Sequence, residues 1–339
     1  MNRASRPELL APAGTADAAY AAFHYGADAV YAGLPRFSAR ADAGNFSVED
    51  LADLIGYAHQ LTPRRRVLIT LNTLLQQAEL PEALRTLAQL ADLEVDALIV
   101  QDVGLLALAR RHFPTLRLHA STQLAAHNLA GVIQLRELGC ARVVLARELS
   151  LPEIQTIAAS AGIEVECFVH GALCYSYSGL CLFSSHSMGR SGNRGRCAYC
   201  CREPFTAAGG QAAGLPFSMK DLALGNHLAD LQAAGVASFK IEGRMKSPLY
   251  VAAVTDYYRR RLDGSLTGPA LLKAEEDLRT IFSRPWSELY LVPPAAPVID
   301  AGTTGHRGAA IGRVAAVHRD PQGRSWLRFR TARALERHD

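Results

Sequence analysis

The chain has 339 residues, 49% of them hydrophobic, which is enough for one large domain with or without a small appendage. Its formal net charge of +4 permits an RNA partner without requiring one. No segment approaches the ~18 uninterrupted apolar residues of a membrane-spanning helix, and the first residues lack the apolar core of a signal peptide. We therefore expect a cytoplasmic protein with no membrane partner.

Short apolar runs alternate with amphipathic stretches over most of the chain. Eight runs are predicted strands: ELLAPA, DAVYAG, RVLITLN, ALIVQD, RLHAST, RVVLARE, EVECFVHG and SFKIEG. Continuous apolar strands are expected where helices cover both faces of a parallel sheet. The alternation predicts an α/β fold, a TIM-like (β/α)8 barrel over residues 1–264. A doubly wound open sheet is the alternative, but no Gly-rich dinucleotide motif follows the first run.

Polar side chains lie at the carboxyl ends of these predicted strands. In a barrel those ends converge on one mouth, where active sites form. We therefore expect the mouth to hold Asn72, Gln101, His119, Arg147, Glu148, His170, Lys240, Glu242 and Arg244. Any one of them could instead begin a loop or cap a helix.

A cysteine-rich segment, residues 171–217, lies between the seventh and eighth predicted strands. Its candidate metal ligands are Cys174, Cys181, Cys197 and Cys201. Four thiolates suit a zinc ion or an iron–sulfur cluster, and disulfides are rare in the cytoplasm. The spacing does not decide between the two metals or exclude free thiols, and Cys200 could replace Cys201. In contrast, Cys140 and Cys167 lie in apolar contexts and are predicted core residues.

The remainder of the chain predicts smaller units. Residues 265–300 predict a helix followed by a Pro/Gly-rich linker, and residues 301–339 predict a partial small β module with two strands. Two strands alone are marginally stable unless they dock on another element.

Three blocks of sequence, HGALCYSYSGLCLFSS, GNRGRCAYCCREPF and FKIEGRMKS, resemble the peptidase U32 family, the collagenase-like group. The signature covers residues 166–184 and 192–202, and the family pattern CxxxCR falls on Cys197, Cys201 and Arg202. This resemblance implies a TIM-like barrel and a 4Fe-4S cluster on the four candidate cysteines, with zinc as the alternative. The GHRG linker and the β start resemble the long ribosomal-RNA cytidine-hydroxylating branch more than the shorter tRNA branch.

The resemblance implies an RNA-modifying enzyme that adds a 5-hydroxyl group to a pyrimidine, with a 23S rRNA cytidine as the expected target. It also implies prephenate, a small carboxylate, as the hydroxyl donor, and RNA as partner, with rRNA favoured over tRNA. The alternatives are a collagenase-like peptidase and a cluster-bearing scaffold or subunit of another hydroxylase. Neither HExxH nor GxSxG occurs to support proteolysis.

In this interpretation the mouth binds the donor and a flipped-out base. The catalytic candidates are His119, Glu148, His170, Lys240 and Glu242. The substrate-binding candidates are Asn72, Gln101, Arg147 and Arg244 at the mouth, with Arg190 and Arg194 on the Gly-rich loop GRSGNRGR. That loop could equally be a solvated basic surface.

Overall fold

In the computed structural model, which describes residues 6–210, 212–293 and 296–331, eight parallel strands close into a barrel. They are β1 (Glu8–Pro12), β2 (Ala29–Gly33), β3 (Arg66–Leu71), β4 (Ala97–Val100), β5 (Leu118–Ala120), β6 (Arg142–Val144), β7 (Glu164–Ala172) and β11 (Ser238–Ile241). Strand β11 pairs with both β7 and β1, which closes the barrel. Each strand falls on a predicted run, so the barrel prediction is confirmed and the open sheet is wrong.

Helices cover the outside of the barrel. They are α1 (Ala16–His24), α2 (Val48–Gln60), α3 (Leu80–Asp92), α4 (Val103–His112), α5 (Leu129–Glu137), α6 (Leu151–Ser160), α8 (Leu228–Ala233) and α9 (Pro248–Leu262). Several begin at a polar cap: Ser47 and Ser150 form capping boxes, and Asp102 accepts from the Leu105 N–H. No helix among the described residues is both long and apolar enough to cross a membrane.

The cysteine-rich segment and the residues after it form short elements beside the barrel. These are α7 (Phe183–Met188), β8 (Phe205–Thr206), β9 (Ala212–Gly214) and β10 (Asp221–Ala223). Strand β10 runs antiparallel to the end of β7, and β12 (Trp286–Ser287) adds to its other edge. Beyond the barrel lie α10 (Gly268–Ile281) and an exposed antiparallel pair, β13 (Arg313–Arg319) and β14 (Ser325–Arg330). The division of the chain into separate domains stays a prediction.

The strands have two buried faces of different character. Their outward side chains pack under the helices in one large apolar core. Inside the barrel, one side is apolar and contains Leu10, Ala29, Tyr31, Leu68, Ala97 and Ile99. The other side is charged, with Glu8, Arg142, Glu166 and Lys240, all 6% exposed or less. A buried charge is tolerated only when it is paired, so these four side chains must compensate one another.

Arg142 links this interior ion network. Its guanidinium contacts Glu8, Glu164 at 2.9 Å and Glu166 at 3.1 Å. The Lys240 ammonium donates to the other Glu166 oxygen at 2.9 Å. Glu8, Arg142, Glu166 and Lys240 lie on β1, β6, β7 and β11 in that order, so the network joins four strands across the barrel.

We predict that Arg142→Met lowers the free energy of unfolding by about 3–5 kcal/mol, because the buried carboxylates of Glu8 and Glu166 lose the cation that they share. Urea unfolding followed by circular dichroism measures the loss. Lys273→Ala is the control, because Lys273 is 77% exposed and its pair with Asp277 is worth less than about 1 kcal/mol. Equal losses in the two variants would contradict a stabilising role for the network.

Candidate active site

The carboxyl end of the barrel contains a cavity of about 210 Å³. The barrel strands and their loops contribute Tyr31, Arg40, Thr70, Asn72, Gln123, Arg147, Phe168, Lys240, Glu242 and Arg244 to its lining. The cysteine-rich segment forms much of the remaining wall, with Cys174, Cys181, Phe183, Cys197, Tyr199, Cys200 and Cys201. Five predicted mouth residues, Asn72, Arg147, Lys240, Glu242 and Arg244, thus lie together as expected.

Lys240 lies between the ion network and the cavity. Its ammonium is held by Glu166 and stands 4.5 Å from the centre of the Tyr31 ring and 5.4 Å from that of Phe168. Burial lowers the pKa of Lys240, and the Glu166 carboxylate opposes this shift. For Glu166, burial acts to raise the pKa, but Lys240 and Arg142 outweigh it and hold the carboxyl ionised. Glu166 therefore holds the Lys240 side chain in a fixed position at the cavity wall.

Glu242 is the acidic group among several cations. Its Oε1 accepts from Arg40 Nη2 at 3.2 Å. Burial acts to raise its pKa, but Arg40, Arg147, Arg244 and Lys240 together bring the pKa below its usual value. An ionised Glu242 can accept a hydrogen bond or orient Arg40.

Arg244 and Arg147 differ in how many of their guanidinium N–H groups have hydrogen-bond partners. Arg244 is 3% exposed and donates to Ser38 at 2.7 Å and Thr70 at 3.3 Å; burial lowers its pKa to about 10. The Arg147 guanidinium lies 4.2 Å from the centre of the Phe168 ring and donates to the Ala172 carbonyl at 3.3 Å. Arg147 Nε is buried and has no hydrogen-bond partner among the described residues. An unsatisfied buried donor at a cavity wall suits an anionic ligand.

The four candidate cysteines face the same cavity. The Cys174, Cys181 and Cys197 thiols are near enough to Cys201 to raise its pKa, which reaches about 11 mainly through burial. Backbone N–H groups approach two sulfurs, Phe183 N to Cys181 at 3.3 Å and Tyr199 N to Cys197 at 3.4 Å. In the described parts of the chain, no three Cys, His, Asp or Glu side chains are arranged to hold a metal ion. The metal assignment therefore stays a prediction.

The remaining cysteines lie in different surroundings. Cys200 also lines the cavity but is 5% exposed, so its role as an alternative ligand stays open. Cys140 and Cys167 are buried in the apolar core, where burial raises their pKa to about 11 and about 12. Their prediction as core residues is confirmed.

His170 lies away from the mouth, and its expected placement is wrong. The register between β11 and β7 shifts after Lys240, so that Ile241 pairs with His170 and Val169 is passed over. This β-bulge reverses the alternation of side chains. The imidazole consequently faces the helix layer, where Nδ1 lies 3.2 Å from the Tyr258 hydroxyl. That hydroxyl donates to Val169 O, so Nδ1 carries the proton.

Three other predicted mouth residues do not line the cavity either. His119 is 1% exposed inside the barrel, where burial and then Arg142 hold its pKa well below the usual value. Gln101 is equally buried, with neither amide atom hydrogen bonded within the described structure. Glu148 accepts from the Ser178 N–H at 2.7 Å and the Ser178 hydroxyl at 2.6 Å. Glu148 thus fixes a turn of the cysteine-rich segment, since Ser178 has a φ of 45°.

The two candidate arginines of the Gly-rich loop, Arg190 and Arg194, also lie outside the cavity. Arg194 forms a two-pronged pair with Glu79 at 2.8 and 3.0 Å and donates to the Leu74 carbonyl. This engagement ties the loop to the β3–α3 connection and leaves little of the guanidinium for a phosphate. Arg190 is exposed, with Asp42 at 3.7 Å.

The sequence reasoning missed several residues of the site. Arg40 lies inside the long β2–α2 loop rather than at a strand end, and no local pattern distinguishes it. Glu166 and Tyr31 are strand-interior residues. A glutamate in the middle of an apolar strand is a signal that could have been used, because a buried carboxylate requires a cation.

Comparisons with known proteins agree with the signature. The family described as Peptidase family U32 matches residues 14–297. The 23S rRNA 5-hydroxycytidine C2501 synthase of Escherichia coli (strain K12) is 41% identical over 304 residues, covering 88% of this chain and 45% of that protein. The tRNA hydroxylation protein P1 of Bacillus subtilis (strain 168) is 38% identical over 275 residues, covering 78% and 65%. The chain thus spans about half to two thirds of the length of these relatives.

A relative with a different name also matches. The collagenase of Porphyromonas gingivalis (strain ATCC BAA-308 / W83) is 31% identical over 309 residues, covering 84% of this chain and 73% of that protein.

The position of His170 predicts a pH dependence of stability. Burial lowers its pKa to about 4, whereas an unfolded histidine titrates near 6.5. Below pH ~6.5 the unfolded chain binds a proton that the folded chain excludes, so stability falls as the pH decreases toward 4. Between pH 7 and 5, His170→Asn should lose about 2 kcal/mol less unfolding free energy than the wild type. Urea titrations at both pH values measure this, and parallel losses would contradict the assigned environment.

Proposed function

The chain belongs to peptidase family U32, and we propose that it hydroxylates a base of RNA and does not cleave protein. The observation that carries this proposal is the barrel-mouth cavity, which is lined by several cations and by five cysteines, including the four candidate ligands. Two relatives are named for rRNA and tRNA hydroxylation, and both are more similar to this chain than the relative named collagenase. An RNA substrate is consistent with a cytoplasmic location.

Proteolysis by a cysteine nucleophile has little support from the geometry. Such an enzyme needs a histidine beside its reactive thiol. His170 is four residues from Cys174 in sequence, but its ring packs against Tyr258 on α9 and does not line the cavity. His119 lies inside the barrel and does not line it either.

The proposed target is position 5 of a pyrimidine, with a 23S rRNA cytidine favoured by the E. coli relative. The cavity is smaller than the roughly 300–1,000 Å³ of typical drug-sized sites, so it suits a group as small as a single base. A base must leave its stack before it can enter such a space. A tRNA pyrimidine is the alternative, supported by the B. subtilis relative.

We further propose that a small carboxylate, prephenate, donates the hydroxyl group. Four cations, Arg40, Arg147, Lys240 and Arg244, line the cavity beside the single carboxylate of Glu242 on the barrel side. This surplus of positive charge favours an anionic ligand. Arg147 is the first candidate contact, because its Nε lacks a partner and its ring-stacked guanidinium is already oriented.

The cofactor that we propose is a 4Fe-4S cluster held by Cys174, Cys181, Cys197 and Cys201. When bound, such a cluster supplies one-electron transfer. Replacing a C–H by C–OH oxidises the base by two electrons, and the balance requires the donor R–OH to accept them and the displaced hydrogen as it becomes R–H. Zinc has no redox chemistry, so iron fits the proposed reaction better. The N–H groups of Phe183 and Tyr199 would stabilise two of the thiolate sulfurs.

The reaction is tested by nucleoside mass spectrometry of rRNA and tRNA from a host lacking this gene. We expect loss of one 5-hydroxypyrimidine, restored by the wild-type gene. Arg147→Ala should restore activity about 10- to 150-fold less well, since one charge-assisted hydrogen bond is lost. Arg260→Ala on α9 is the matched control and should restore it fully, because Arg260 pairs with Asp256 at the surface. Unchanged modification in the deletion strain would overturn the proposed activity and leave the scaffold interpretation.

The cofactor is tested by metal analysis and absorbance near 400 nm of protein purified without oxygen. Cys174→Ala should lose the chromophore and most of the iron, whereas Cys140→Ala should keep both because Cys140 lies in the apolar core. Zinc in place of iron, or unchanged iron in Cys174→Ala, would contradict the assignment. Cleavage of a denatured protein by the wild type, lost in Cys174→Ser, would instead favour the peptidase.

A further inference from the structure

The first part of the cysteine-rich segment, residues 171–202, has an unusual composition and exposure. It contains four arginines and no Asp or Glu. Six of its large apolar or aromatic side chains are exposed: Tyr175, Tyr177, Leu180, Leu182, Met188 and Tyr199. Exposed apolar groups concentrated in so short a stretch mark an interaction surface.

This surface belongs to a segment that also lines the cavity. Cys174, Ser176 and Ser178 line the cavity, whereas the intervening Tyr175 and Tyr177 are 51% and 44% exposed. Alternate side chains of residues 174–178 therefore face the cavity and the solvent, and we call the solvent-facing side the outer rim.

The three rim tyrosines are supported at different positions. Tyr175 packs edge-on against Phe217 at 4.9 Å, and Tyr177 packs edge-on against His127 at 5.5 Å. The Tyr199 hydroxyl donates to Met245 Sδ at 3.1 Å. Each ring is thus fixed from one side and open to solvent on another.

Tyr199 occupies a strained position. Its φ is 56°, in the left-handed region that favours glycine, and its side chain is 42% exposed while also lining the cavity. Strain of this kind persists where the surrounding structure holds a functional group in place. The constraint directs an aromatic ring to the cavity entrance.

We propose that Tyr175, Tyr177 and Tyr199 are a stacking surface for unpaired bases of an RNA strand, with Arg196 contacting its phosphates. This inference rests on the proposed function and adds that the substrate is bound as a single-stranded or splayed segment. Aromatic rings stack on any base, and a strand that presents one base to a cavity must separate its neighbours as well. Arg196 is exposed and its guanidinium has no ion pair or hydrogen bond among the described residues, and no carboxylate of the segment repels a phosphate.

The test is the affinity of the full chain for a fluorescent single-stranded oligoribonucleotide and for the same strand in a duplex, measured by anisotropy. The single strand should bind more tightly. Changing any rim tyrosine to alanine should weaken its binding about 5- to 150-fold, the effect of losing one stacked base. Tyr→Phe at the same positions should retain the affinity, because phenylalanine keeps the ring. Tyr20→Ala on α1 is the matched control, since Tyr20 is 38% exposed outside the barrel.

The outcomes separate this inference from the proposed reaction. Equal wild-type affinities for the single strand and the duplex would overturn the stacking surface. So would alanine variants of the rim tyrosines that bind the single strand as tightly as Tyr20→Ala does. Phenylalanine variants that bind as weakly as the alanine variants would also overturn it. If the tyrosine series behaves as expected but deletion of the gene leaves every 5-hydroxypyrimidine in place, the stacking surface stands and the hydroxylation fails. If the modification disappears but the tyrosine series has no effect, only the stacking surface fails.

Discussion

The carboxylate of Glu166 is shared inside the barrel between the guanidinium of Arg142 and the ammonium of Lys240. Each partner alone would be a buried charge that the fold could not tolerate. Together these charges neutralise one another on the side of the barrel interior that apolar side chains do not fill. The pair with Glu166 also fixes the position of Lys240 at the cavity. The position of Lys240 at the mouth therefore depends on Glu166 and Arg142, which lie behind it and do not line the cavity.

The cysteine-rich segment, which forms the other wall of the cavity, is held in place by polar contacts. Glu148 fixes the turn at Ser178, Arg194 grips Glu79, and Arg202 donates to the Leu173 carbonyl at 3.0 Å. These contacts anchor the cysteine-rich segment at three separate places along its length. The thiols of this wall therefore keep a fixed position relative to the barrel residues.

Charge gives the cavity its selectivity. The barrel side presents more cations than carboxylates, and one arginine, Arg147, keeps an unsatisfied donor. Such a field would attract both the anionic acid and the RNA strand of the proposed function. The outer rim continues the same character, with arginines and exposed tyrosines and no acidic side chain within residues 171–202.

The sequence by itself determined the barrel and the composition of the thiol wall. Eight apolar runs separated by amphipathic stretches specify a closed parallel barrel, because hydrophobic periodicity is a local property that each segment carries with it. Their polar ends correctly placed Lys240 and Glu242 at the cavity. In the same way, the short chain distances among the cysteines of the segment brought them to one wall.

Only the tertiary structure decided which of the other polar residues reach the cavity. One extra residue in β7 turned His170 toward α9, and a bulge of this kind depends on how two distant strands align. Arg40 meets Glu242 across 202 positions of sequence, along a loop path that no local pattern predicts. Alternation of side chains is set by neighbouring residues, whereas the partner of a buried charge is set by the packing of the whole barrel.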